Sequence, residues 1–221
     1  MAGPMLHPVP VRLSPGRRLT QLTAGLALYG VSVGMQIEAA LGLAPWDVLH
    51  EALHKITGWS FGIVTALTSV TVLLCWIPIK QKLGVGTVAN VVIVAGSVDL
   101  TLAVLPTPDN LVVRLVLLVS GVVLNGLATA AYIGVRLGPG PRDGLMTGVS
   151  GRTGWAIRWV RTAIEVTVLV VGWLLGGTVG VGTVLYALGI GPLAQAFLPF
   201  VTWRPRVEGD VGAGGGARTG H

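Results

Sequence analysis

The chain has one cysteine in 221 residues, Cys75, so no internal disulfide can form. Charged residues are scarce too, at 11% against about 25% in soluble globular domains. That scarcity excludes an ordinary soluble enzyme, a disordered chain and a nucleic-acid-binding module. Acidic residues are fewer than basic ones, 9 against 15. The resulting net charge of +6 is still no nucleic-acid footprint, because Lys and Arg in a membrane protein mark the cytoplasmic face. What fills the chain is apolar: 52% hydrophobic residues, 33 glycines and a mean hydropathy of +0.76. These values leave a helical integral membrane protein, whose length is counted in spans of about 20 residues. Cys75 lies in an apolar run and reads as a small buried hydrophobe.

The chain aligns with itself, without a gap, at a shift of 96 residues. Arg18-Leu19 falls on Arg114-Leu115, Leu41-Gly42 on Leu137-Gly138, Pro45 on Pro141 and Asp47 on Asp143. Thr57-Gly58-Trp59 falls on Thr153-Gly154-Trp155, and Gly84-Val85-Gly86-Thr87 on Gly180-Val181-Gly182-Thr183. Matches of Gly, Pro, Asp and Trp at one shift do not come from shared hydrophobicity, so the pattern implies duplication. The division expected is a basic tail at 1–17, a membrane repeat at 18–105, a linker at 106–113, a second repeat at 114–202 and a Gly- and Arg-rich tail at 203–221.

Each repeat holds three long apolar segments: 19–40, 61–79 and 86–105, then 115–135, 158–176 and 182–202. Between the first two of each lies a shorter stretch, 45–56 or 141–152. Twelve helical residues span only about 18 Å, short of the roughly 30 Å hydrocarbon core, so these stretches are re-entrant or interfacial. With the N-terminus inside and the short stretches not crossing, all 15 basic residues except Lys55 and Arg114 fall at or near the cytoplasmic side. The expectation is an all-α polytopic membrane protein with six transmembrane helices and both termini cytoplasmic. Three spans per repeat make the copies an inverted pair, as in many secondary transporters, where sites form near broken helices between the repeats.

In 45–56, Pro45 suits the first helical position and Asp47 the first turn, where free amides favour a carboxylate. Asp47, His50, Glu51 and His54 form one face; Trp46, Leu49, Leu53 and Ile56 form the opposite, apolar one. Pro141 and Asp143 repeat the scheme, with Thr147 and Ser150 on the polar face. Two readings follow: each aspartate caps its own helix, or the two helix starts together line a polar cavity for a small solute or ion.

The run Leu41-Gly42-Leu43-Ala44-Pro45-Trp46-Asp47-Val48-Leu49, with Thr57-Gly58 and Gly84-Val85-Gly86-Thr87, is similar to the YczE/YitT-like group of bacterial integral membrane proteins. The YczE branch is the nearer, and the resemblance covers both repeats, roughly 18–200. It implies location in a bacterial cytoplasmic membrane and transfers no catalytic or ligand residue. The group is usually described with one span fewer than the charge argument yields.

His50-Glu51-Ala52-Leu53-His54 matches H-E-x-x-H, in which two histidines hold zinc and the glutamate acts as base. Only one repeat carries it, with Met146 and Ser150 in the mate's histidine positions, and no third ligand is evident. A solvated amphipathic face is the better reading, so His50 and His54 are weak metal candidates, and no enzyme activity or cofactor is expected. Ionisable residues within spans are functional candidates because they are costly there. Asp99 and its mate Gln195 match in depth and suit an axis-lining pair, and Glu38 lies near the outer end of the first span. Glu165, four residues after Arg161, pairs with it along the helix. The seven tryptophans fall mostly near span ends, as interfacial anchors. The leading expectation is a small-solute or ion transporter or permease, with Asp47, Asp143, Asp99, Arg142, Gln195 and Glu38 on its pathway. The alternative is a non-catalytic membrane scaffold or regulator of another pathway, and a remote one is an intramembrane zinc protease acting through His50, Glu51 and His54. The expected partners are the lipid bilayer and a solute, with a second copy or a partner protein open and no nucleic acid.

Overall fold

A computed structural model describes residues 15–203. The basic leader and the Gly-Arg tail expected from sequence lie outside the described residues, apart from their innermost positions. The described chain is helical throughout: α1 (Pro15–Ala39), α2 (Pro45–Thr57), α3 (Phe61–Leu74), α4 (Trp76–Ile79), α5 (Val85–Val104), α6 (Leu111–Gly134), α7 (Pro141–Thr153), α8 (Ile157–Leu174) and α9 (Val181–Val201). The starts follow local chemistry. The side chains of Ser60 and Asn110 accept from Ile63 N at 3.2 Å and Val112 N at 2.8 Å, capping α3 and α6. Pro45 and Pro141 open α2 and α7, and Gly58 and Gly154 close them in the left-handed conformation, φ +71° and +72°.

Phe61–Ile79, Val85–Val104, Leu111–Gly134 and Val181–Val201 are each long and apolar enough to cross a membrane. Helices α1 and α8 are also long, but α1 carries Gln36 and Glu38, and α8 carries Arg158, Arg161 and Glu165. The outer surface is apolar, with Phe200 86% and Leu174 75% exposed, while Arg18, His50 and Asn125 are buried. This polarity is reversed from that of a water-soluble protein.

The elements recur at the 96-residue shift, and so do the contacts between halves. Arg18 at the start of α1 donates from Nε to Val135 O at the end of α6 (3.0 Å). Its mate Arg114 at the start of α6 donates to Ala39 O at the end of α1 (2.8 Å). Helices α1 and α6 therefore run antiparallel, each start held at the other's end. Gly86 N donates to Leu137 O (3.0 Å), and its mate Gly182 N to Leu41 O (2.8 Å). Gly30 faces Ser97 on α5, and its mate Gly126 faces Leu193, the mate of Ser97, on α9. Glycine thus lets α1 approach α5 and α6 approach α9 closely. The short helices cross over: α2 packs on α8, and α7 on α3 and α4.

Several expectations are corrected. Cys75 is exposed rather than buried. It marks a break in 61–79, because Pro78 has no N–H to give to the carbonyl of Leu74. The tryptophans divide: Trp46, Trp76 and Trp203 are buried, whereas Trp59, Trp155, Trp159 and Trp173 are exposed. Trp203 is retained by the Arg18 guanidinium over its ring, 4.7 Å from the centroid. The polar face of α2 is not solvated at its start, although His54 near its end is exposed. Asp47 and His50 are buried, and Ile56 on the apolar face is 61% exposed. Where the surroundings of a helix are apolar, the polar face turns inward to find partners.

Candidate functional site

The starts of α2 and α7 meet in the middle of the fold. Trp46 and Arg142 occupy equivalent positions in the two halves, and the Arg142 guanidinium lies 5.1 Å from the centroid of the Trp46 ring. Arg142 Nη2 also stands 3.5 Å from Asp47 Oδ1 and 3.5 Å from His50 Nδ1. His50 Nδ1 is 3.3 Å from Asp47 Oδ1, and its Nε2 is 2.8 Å from Thr68 Oγ1. The Asp47 carboxylate is thus enclosed by α2, α3 and α7, its charge offset by the guanidinium of the other half. A buried carboxylate is tolerable only with such compensation.

Asp143, its mate, is placed differently. It is half-buried and accepts a hydrogen bond from the Tyr132 hydroxyl. It lines a cavity of about 240 Å³ whose walls include Tyr29, Trp46, Arg142, Tyr186 and Gln195. Arg161 and Glu165 also face this cavity, joined to each other at 2.8 Å, as their spacing predicts. A pocket of about 50 Å³ beside Thr65 and Asn90 shares Arg142 and Asp143. A third cavity, about 310 Å³ and lined by Gln81, Arg136 and Thr147, reaches Asp143 from the α4–α5 connection. Asp143 therefore borders three adjoining spaces, and Asp47 borders none of the three.

The other candidates are dispersed. Asp99 accepts from Ser60 Oγ (2.5 Å) and Gly62 N (2.6 Å), so it anchors the start of α3. It borders an outer cleft with Glu38, away from Gln195, so the two do not form an axis-lining pair. Glu38 accepts from the Thr107 hydroxyl. The H-E-x-x-H residues also have separate partners. His50 is enclosed as described, Glu51 binds Lys55 and Thr178, and His54 Nδ1 lies 2.6 Å from Trp59 O. Among the described residues no three His, Cys, Asp or Glu side chains are grouped to hold a metal.

Sequence reasoning missed the tyrosines. The chain has three, and all three line the same cavity, with Tyr29 and Tyr132 edge to face at 6.1 Å between centroids. The available signal was a hydroxyl-bearing ring within an apolar segment, where a partner must be found within the protein. Among the described residues, Trp46 Nε1 is the buried side-chain polar atom that lacks a hydrogen-bond partner. Leaving such a donor unsatisfied costs about 1–3 kcal/mol, so the cavity wall is not optimised for stability alone.

An all-helical chain with an apolar exterior and a polar, aromatic interior at two helix starts is a polytopic membrane protein. It belongs to the family of unknown function DUF6198, whose model matches residues 16–199. An uncharacterized protein of Haemophilus influenzae is 37% identical over 191 residues, covering 86% of this chain and 88% of that one. The uncharacterized membrane protein YczE of Bacillus subtilis is 34% identical over 188 residues, covering 82% and 86%. The uncharacterized protein YyaS of the same organism is 28% identical over 182 residues, covering 80% and 90%. The resemblance to the YczE branch is therefore correct. No solved structure matches.

Proposed function

We propose that the protein is a small-solute or ion transporter or permease of a bacterial cytoplasmic membrane, with its solute site in the 240 Å³ cavity beside Asp143. One observation carries the reading: charged and aromatic side chains surround an open space where two half-length helices begin, inside an otherwise apolar fold. Helices too short to span, with their amide ends turned to a mid-protein cavity, are how transporters bring polar groups to bilayer depth. The architecture proposed is six spans in two inverted repeats, 18–105 and 114–202, with both termini cytoplasmic. The antiparallel run of the equivalent helices α1 and α6 supports it, as do the reciprocal Arg18–Val135 and Arg114–Ala39 bonds. Contacts that return when the two partners are exchanged are the mark of a twofold relation. In this arrangement α1 and α8 cross the membrane despite their polar residues, because Gln36 is buried within the protein and Arg161 and Glu165 neutralise each other.

A thermal-shift screen of the detergent-solubilised protein against metabolites and ions identifies solutes, and counterflow in proteoliposomes tests movement. Asp143→Asn is expected to abolish counterflow while expression and melting temperature stay within error. If counterflow persists in that variant, or no hit is moved by the parent protein, the reading fails. Orientation is tested separately: externally confined thiol reagents are expected not to modify cysteines introduced at 80–84 or 138–152.

A further inference from the structure

The equivalent helices α3 and α8 begin in different ways. In the first half, the Ser60 side chain caps α3, and the Asp99 carboxylate accepts from Gly62 N at 2.6 Å. An anion thus sits at that helix start, where free amides and the macrodipole favour one. In the second half each part of this arrangement is changed. Ala156 stands in place of Ser60, and no side chain caps α8. Gln195 stands in place of Asp99 and lines the central cavity instead. Arg158 stands in place of Gly62, so positive charge is added where the first half supplies a carboxylate. Arg152, in the last turn of α7, lies three residues before Trp155. Arg152 and Arg158 are both exposed, and among the described residues neither forms an ion pair with a carboxylate.

The surface beside these charges is apolar. Trp155, Ala156, Trp159, Thr162, Ala163 and Val166 form an open groove along one face of α8. The Arg158 guanidinium lies over the Trp159 ring, 5.5 Å from its centroid, which holds the charge beside the groove. From Trp155 to Val166 the groove runs for roughly 15 Å, half the thickness of the hydrocarbon core and the reach of one leaflet's acyl chains. Two exposed tryptophans next to arginine suit the boundary between headgroups and chains.

We propose that the start of α8 binds an anionic phospholipid, whose phosphate takes at Arg158 and the first amides of α8 the place that Asp99 takes on α3, while one acyl chain lies along Trp155, Trp159 and Val166. Arg152 adds to the attraction. Free phosphate matches the charge but leaves the groove uncovered, whereas a lipid answers both. The site requires neither transport nor a particular orientation of the chain in the membrane.

The test is native mass spectrometry of the purified full-length protein, titrated with phosphatidylglycerol or with zwitterionic phosphatidylcholine of identical chains. Phosphatidylglycerol is expected to bind at least about fivefold tighter. Arg158→Gln is expected to lower its affinity about fivefold and to leave phosphatidylcholine within about twofold. Lys82→Gln removes an exposed charge elsewhere and is expected to keep both affinities within about twofold of the parent. Trp159→Ala, which takes away surface common to both lipids, is expected to weaken both by at least about threefold. Arg158 and Trp159 are exposed, so these variants fold, and the lipid-independent melting temperature checks that they do. Equal binding of the two lipids, an equal loss in Lys82→Gln and Arg158→Gln, or unchanged binding in Trp159→Ala would each overturn the site. Displacement of phosphatidylglycerol by inorganic phosphate at about 10 mM would overturn it too, because the groove would then contribute nothing.

Discussion

Helices α2 and α7 have equivalent bounds, the same proline start and the same left-handed glycine end, yet they handle equivalent carboxylates in opposite ways. Asp47 is sealed with Arg142 and His50, and His50 in turn meets Thr68 of α3, whereas Asp143 stands at the junction of three cavities and accepts a hydrogen bond from the Tyr132 hydroxyl. Further along, α2 is latched. Glu51 accepts from Thr178 N (2.6 Å) and Thr178 Oγ1 (2.9 Å) and pairs with Lys55 at 2.7 Å. The equivalent positions on α7 are Thr147 and Gly151, and Thr147 turns its hydroxyl back to Gly144 O of its own helix. Duplication has thus separated two demands. One copy of the short helix buries its carboxylate against the other half, and the other leaves its carboxylate beside open cavities.

The sharpest way to break the comparison is through Arg142. Arg142→Met leaves Asp47 buried without its countercharge, and removing one partner of such a pair costs about 3–5 kcal/mol. A large fall in melting temperature is expected, and Asp47→Asn in the same chain should recover much of it. Asp143→Asn, at the equivalent position, should leave the melting temperature unchanged. If the two aspartates respond alike to loss of charge, the division of labour is wrong.

A second contrast concerns how each short helix is gripped. On α7, a side chain added at Gly144 would overlap the indole of Trp76, whose Nε1 donates to Pro141 O at 3.0 Å. In the other joint the sizes are exchanged: Gly172 of α8, equivalent to Trp76, lets the backbone of α2 at Val48 and Leu49 come into contact. Gly144→Ala and Gly172→Ala should each cost about 1–3 kcal/mol by overpacking. Only the first is expected to couple to a side chain. In a double-mutant cycle, Gly144→Ala and Trp76→Ala should interact by at least about 1 kcal/mol. Leu49→Ala should give Gly172→Ala no relief, because there the obstacle is backbone. Thermal or denaturant unfolding in detergent measures both.

Much of this was legible beforehand, because duplication makes sequence test itself. The shift of 96 residues placed Pro45 over Pro141 and Gly58 over Gly154, and those residues begin and end helices for local reasons that survive any packing. The helix faces were not legible. Periodicity located Asp47 and His50 on one side of α2 but not what that side meets, and the usual assumption that polar faces seek water fails where the exterior is apolar. Asp99 and Gln195 match in sequence but diverge in use, since Ser60 and Gly62 claim the aspartate and leave the glutamine beside the cavity. Tyr29, Tyr132 and Tyr186 come from three helices far apart in the chain, and no spacing rule links them.

The latch gives a smaller effect. Glu51→Ala removes the acceptor of Thr178 N and Thr178 Oγ1 and the partner of Lys55. Lys55 is about half exposed, so its pairing contributes little, and the hydrogen bonds account for most of a loss of about 1 kcal/mol. A fall of about 2–4 °C in melting temperature is expected. Thr147→Ala at the equivalent place on α7 should fall within error, and an equal fall would mean that α7 is latched as firmly as α2.

The smallest contrast lies in the chain reversals after α4 and α8. Lys80 and Gly176 are equivalent, and both adopt positive φ, +53° and +98°. A lysine there bears the clash of its Cβ with the following carbonyl, about 1–2 kcal/mol, which glycine avoids. Lys80→Gly removes that strain but gives the unfolded chain more freedom, which offsets roughly 0.5–1 kcal/mol of the benefit. The net expectation is a gain of a few tenths of a kcal/mol to about 1 kcal/mol, read as a slightly raised denaturation midpoint. Gly176→Ala runs the other way and should lose about 1 kcal/mol, because it introduces at α8 the strain that Lys80 already bears at α4. If Lys80→Gly is destabilising instead, the lysine is retained for a contact that outweighs its backbone. The first half of the molecule would then hold a second feature for which the other half has no counterpart.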